Sequence, residues 1–89
     1  MAKMVFTEQF IDDLDTIWSS RVYARVRRVL AMIEQFPECG SRSLPSSIER
    51  EFGNTVRKCA VGPFDVLYDY DASEDVAYVL GLVSQRSAE

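Results

Sequence analysis

The sequence predicts an α+β domain in the order β-α-α-β-β-β, an antiparallel sheet with a helical hairpin packed on one face. Three observations carry this expectation: a helical hydrophobic period between residues 8 and 36, a Pro-, Gly- and Ser-rich break after it, and three closely spaced runs of β-forming residues in the last third. With 89 residues, 47% hydrophobic and 27% charged, the chain is expected to form one domain spanning residues 1–89, because independent domains need about 50 residues or more. A chain of this size buries only about 60 to 65% of its unfolded surface. Nearly every apolar residue is then required for the core, no cofactor-sized cavity is expected, and no cofactor is assigned.

Lys3 to Thr7 is short and apolar enough for a first strand, and Thr7 is placed to cap the helix that follows. Phe10, Ile11, Leu14, Ile17 and Trp18 then mark one face of a first helix, with Glu8 and Asp12 off that face. Ser20 is a candidate cap for a second helix whose apolar face is Val22, Val26, Val29, Leu30, Ile33 and Phe36, ended by Pro37. A connection of about two residues implies an antiparallel hairpin, with Phe10, Trp18 and Phe36 as core residues. Residues 37 to 47 contain Pro37, Gly40, Pro45 and four serines, and read as a loop. Val56 to Val61, Phe64 to Tyr70 and Asp75 to Val83 read as three strands, turning at Gly62-Pro63 and at Asp71 to Glu74. In the middle strand, alternation puts Phe64, Val66, Tyr68 and Tyr70 beneath the helices and Asp65, Leu67 and Asp69 on the other face. The run YVLGLV is apolar at nearly every position, which predicts a central strand covered on both faces.

The net charge of −4 argues against direct binding of free nucleic acid or of an anionic membrane, both of which favour a basic surface. The longest apolar run, Val76 to Val83, is a strand and far shorter than the roughly 20 residues a membrane-spanning helix needs. There is no histidine, and Cys39 and Cys59 lack the spacing of a zinc site. With no secretory pattern at the N-terminus, both cysteines read as reduced thiols of a cytoplasmic protein. Arg21, Arg25 and Arg28 form a basic stripe on the second helix. It reads either as a nucleic-acid or ribosome contact, or as a solvated or interhelical pattern against Asp13 and Asp15.

The order of elements, FPECG at residues 36–40, VRKCAVGPFDVLYDYD at 56–71 and VAYVLGLVSQR at 76–86 together resemble the RelE/ParE superfamily of toxins from type II toxin–antitoxin systems. The resemblance covers almost the whole chain. Around Arg57, Lys58, Gly62 and Tyr68 it looks most like the ParE branch, in which a basic pair precedes a Gly turn and a strand ending in Tyr. It implies a small cytoplasmic growth inhibitor neutralised by a cognate antitoxin. The RelE branch cleaves mRNA in the ribosomal A site, whereas the ParE branch inhibits DNA gyrase.

Cleaving RNA through the 2′-hydroxyl needs a base, a cation for the transition state and an acid for the leaving oxygen. The resemblance places an arginine after the middle-strand aromatic residue, where this chain has Asp65, and often a histidine before the final Gln-Arg, where it has Ser84 ahead of Gln85 and Arg86. The chain ends at Glu89 without a late tyrosine. Arg57, Lys58 and Arg86 remain as candidate site cations, for contact or for transition-state charge, with Glu49 or Glu51 as a conceivable base. Tyr68 is either a conceivable acid or a core tyrosine. Arg57 and Lys58 must point to opposite faces of their strand. Three functions follow from the resemblance: a ParE-like toxin of DNA gyrase, a RelE-like ribosome-dependent endonuclease, or a member that has lost toxicity and acts as a binding module. Cys59, Val61 and Leu67 are candidate apolar positions for the antitoxin.

Overall fold

The computed structural model describes residues 1–85. Strand β1 (Lys3–Phe6) leads into helices α1 (Glu8–Leu14), α2 (Ser20–Gln35) and α3 (Ser46–Phe52), and strands β2 (Arg57–Val61), β3 (Phe64–Asp71) and β4 (Val76–Ser84) follow. They form a sheet in the order β1-β4-β3-β2. The expected meander is present: β2 pairs antiparallel with β3 and β3 with β4, through turns at Gly62-Pro63 and after Asp71. Gly62 adopts a left-handed φ of 57°, which glycine tolerates without a Cβ penalty. The Asp71 carboxylate accepts from the Ser73 amide and hydroxyl and from the Glu74 amide, closing the second turn.

The sheet is nevertheless mixed, because β1 runs parallel to β4, with Lys3 opposite Val76 and Phe6 opposite Val79. Parallel pairing carries α1 alongside the second half of β4 and lets side chains complete that strand's edge. The Thr7 hydroxyl donates to the carbonyls of Val79 (3.0 Å) and Leu80 (3.1 Å), and it also accepts from the Phe10 amide as the expected α1 cap. One turn on, Asp13 Oδ2 accepts the Leu82 amide at 3.0 Å. β4 is thus an interior strand, as its apolar run implies, and a register shift between Leu67 and Tyr68 of β3 accommodates an extra β4 residue.

Helices α1 and α2 cover one face of the sheet. Phe10, Val26 and Ile33 pack there with Cys59, Val61, Val66, Tyr68, Ala77, Val79 and Leu82, while Met4, Leu14, Val22 and Leu30 border the cluster. The inward set Phe64, Val66, Tyr68 and Tyr70 of β3 belongs to this face, as alternation requires. Burying a side chain of the size of Phe10 or Ile33 contributes about 1.5 to 3 kcal/mol. α1 is shorter than its periodicity suggests. It ends at Leu14, the Thr16 hydroxyl donates to the Asp13 carbonyl, and five residues rather than two lead to α2. The cap of α2 is Ser19, not Ser20. With the helix ended, Trp18 swings out to 94% exposure, and Phe36, beyond the last turn of α2, is 66% exposed. Phe10 alone of the three expected core aromatics is buried.

The other face carries a helix that starts at the end of the break read over residues 37–47 and runs on through residues for which the sequence predicts no element. α3 follows Pro45 and ends at Gly53, whose φ of 99° lies in the left-handed region. Ile48 and Phe52, one helical turn apart, press onto Val56, Leu67, Leu80 and Val83. The sheet is therefore sandwiched.

Candidate functional site

Two of the three expected site cations, Arg57 and Lys58, lie on β2, an edge strand. Arg57 is opposite Tyr68 and Lys58 opposite Leu67, so the two side chains do leave on different faces. Arg57 is engaged structurally: its Nη1 donates to the carbonyls of Glu38 (3.0 Å) and Gly40 (3.1 Å). Lys58 is a half-buried residue that exchanges both backbone hydrogen bonds with Ser41, at 2.9 and 2.8 Å, while its ammonium has no hydrogen bond or ion pair among the described residues. Arg86 lies outside the described residues.

The FPECG segment is consequently tied down at three points: the Arg57 guanidinium, the Ser41–Lys58 bridge and Tyr68. The Tyr68 hydroxyl accepts the Gly40 amide at 2.8 Å and is fully buried. A Cβ on Gly40 would stand 2.6 Å from that oxygen and 2.9 Å from the Arg57 Cβ, so the close approach requires glycine. Burial raises the Tyr68 phenol above its ordinary value. Tyr68 is therefore a core hydrogen-bond acceptor without access to a leaving group, and the acid reading falls. Glu49 and Glu51 are exposed on α3, a helix held by Ile48 and Phe52. Cys59, Val61 and Leu67 are all buried under helices, so none of them offers an apolar surface to a partner.

Asp65 occupies the middle-strand position at which an arginine marks the nuclease branch. It is 7% exposed and takes a 3.2 Å hydrogen bond from Gln85 Nε2. A buried carboxylate at this point repels phosphate and leaves no room for a transition-state cation from the same position. The α2 surface has the opposite sign. Arg21, Arg25, Arg27 and Arg28 are exposed, only Glu34 opposes them on the helix, and none forms an ion pair among the described residues. Asp13 is instead committed to Leu82, which removes the interhelical version of the charge pattern. Arg25 Nη1 lies over the β2–β3 turn at Gly62, and Ala24, Arg27, Arg28 and Ala31 line a shallow groove. Arg27 falls outside the spacing of the anticipated stripe, but its adjacency to Arg28 was a visible signal.

The chain superposes on the E. coli RelBE toxin–antitoxin complex with a TM-score of 0.72 at 13% identity, covering 94% of this chain and 96% of that one. Isolated E. coli RelE toxin gives 0.70 at 15% identity, with 94% and 84% covered. The RelBE2 toxin–antitoxin complex of Mycobacterium tuberculosis gives 0.73 at 18%, with 94% and 98% covered. Identities this low establish the shared fold. No curated protein matches the sequence. The family model described as the ParE toxin of the type II toxin–antitoxin system parDE matches residues 4–89, and the chain belongs to that family.

Proposed function

We propose that this toxin inhibits growth as ParE-type toxins do, through contact with DNA gyrase in the cytoplasm, and that a cognate antitoxin neutralises it. Residues 1–89 act as one domain in this reading. The observation that carries it is Asp65, a buried, hydrogen-bonded carboxylate at the place where an RNA-cleaving relative needs a cation. Histidine is absent from the chain and Tyr68 is sealed in the core, which leaves no placed acid and only the exposed carboxylates Glu49 and Glu51 on α3 as a base. Lys58 and Arg86 are assigned to the target contact, and Arg57 to holding the 38–40 loop beside it. The family match over residues 4–89 and the fold shared with proteins solved as toxin–antitoxin complexes support the antitoxin partner.

Supercoiling by purified gyrase tests the target. Added toxin is expected to inhibit supercoiling, and antitoxin encoded by the neighbouring gene is expected to restore it. Undiminished supercoiling at a toxin excess that arrests growth would remove gyrase from the proposal.

A further inference from the structure

Cys39 and Cys59 meet across the loop just described. Their sulfurs are 3.9 Å apart, and the Cys39 sulfur is also 3.9 Å from the Tyr68 hydroxyl. Cys39 is exposed and Cys59 is buried. The approach is held by the fold, because the paired hydrogen bonds between Ser41 and Lys58 fix the chain two residues after one cysteine and one residue before the other. Arg57, two residues before Cys59, grips the carbonyls on either side of Cys39. A disulfide requires the sulfurs to close to about 2.05 Å. The remaining closure of about 2 Å falls to the exposed Cys39 side chain, since the backbone on either side of it and the core strand are both held.

We propose that Cys39 and Cys59 form an oxidisable dithiol, in which Cys39 meets a peroxide-class oxidant and Cys59 resolves it to an intramolecular disulfide. The Cys39 sulfur attacks one peroxide oxygen, the O–O bond breaks, and the departing hydroxide takes a proton to leave as water. The product is a sulfenic acid. The Cys59 sulfur then attacks the Cys39 sulfur, the S–O bond breaks, and the Cys59 proton leaves with the hydroxide as a second water. The two thiols lose two electrons and the peroxide gains them. The order of attack follows from access: burial, and then the neighbouring Cys39, push the Cys59 thiol up to about 12, so little thiolate is present there at neutral pH. The two thiols are free in this structure, and the pair is independent of any target, since its chemistry uses only these two sulfurs.

The test treats the reduced 89-residue chain with a small excess of hydrogen peroxide. Both thiols are expected to disappear together, with a mass loss of about 2 Da, a Cys39–Cys59 peptide link, no change in oligomeric state and full reversal by dithiothreitol. The disulfide closes a loop of about 20 residues and is expected to raise the unfolding midpoint on the order of 10 °C. In Cys39→Ser, whose exposed position leaves folding intact by circular dichroism, Cys59 is expected to stay a thiol under the same treatment. Sulfinic or sulfonic acid at Cys39 beside a free Cys59, Cys39-linked dimers, or equally fast oxidation of Cys59 in Cys39→Ser would each overturn the proposal.

Discussion

Tyr68 shows how one side chain binds a loop to a sheet. Its hydroxyl is the partner of the Gly40 amide, and its ring fills the space beside it where any Gly40 side chain would stand. Tyr68→Phe leaves that buried amide unpaired and is expected to cost about 1 to 3 kcal/mol in urea unfolding. Arg25→Ala, on an exposed side chain, is expected to cost less than about 0.5 kcal/mol. The same burial gives stability a pH dependence. Cys59 and Tyr68 are held neutral in the fold, above their ordinary values of 9.0 and 10.0. As pH rises past about 9 the unfolded chain releases these protons first, so stability is complete below that pH and falls towards the folded-state values. Each group contributes a slope of about 1.4 kcal/mol per pH unit within its own window. Urea midpoints measured from pH 8 to 11 should decline, and the decline should be shallower in Cys59→Ala between pH 9 and 11.

At the scale of elements, legibility followed the period of the pattern. α2 carries long helical spacing, β4 a continuous apolar run and β3 a clean alternation, and β3 sends to each face the residues that its alternation dictates. α3 is hard to read because its seven residues carry only two core contacts, Ile48 and Phe52, in the stretch between the loop read over residues 37–47 and the strand read from Val56, where the sequence predicts no element. Trp18 was misplaced because its spacing continues a helix that the chain ends at Leu14. What ends it is tertiary: Asp13 turns to the β4 edge, and no local pattern records a partner 69 residues away. The direction of β1 was hidden for the same reason. Asp13→Ala strips the Leu82 amide of its acceptor and is expected to cost about 1 kcal/mol, the low end for a lost hydrogen bond, because the site is only partly buried. Asp13→Asn keeps an acceptor and removes a negative charge from the unfavourable C-terminal end of α1, so it is expected to lie within about 0.5 kcal/mol of the parent. Matched thermal melts of the two variants distinguish a lost acceptor from a lost charge.

Across the whole molecule, charge is divided in a way the net value of −4 conceals. Four of the ten basic residues lie on α2, while buried Asp65 and the acidic β3–β4 turn supply part of the opposite sign. Candidate site residues were legible only as types: the sequence contains Arg57 and Lys58, but only the fold separates a guanidinium bound to two carbonyls from an ammonium without a partner among the described residues. This division bears on mRNA cleavage. A nuclease site needs a cation and two proton-transfer groups gathered on an open face. Here the middle strand offers a carboxylate, the one tyrosine weighed for acid catalysis is fully buried, and the chain has no histidine. Each positioned acid or base typically contributes about a hundredfold to ten-thousandfold. Loss of the acid alone should leave cleavage at least about a hundredfold slower than in an RNA-cleaving relative, and the missing middle-strand cation slows it further. In a reconstituted translation reaction the toxin is therefore expected to leave mRNA intact, and Asp65→Arg alone should not introduce cleavage, because one restored cation does not supply the missing acid. Codon-specific cleavage by the parent chain, abolished by Lys58→Ala, would instead place a working nuclease site on the β2 edge.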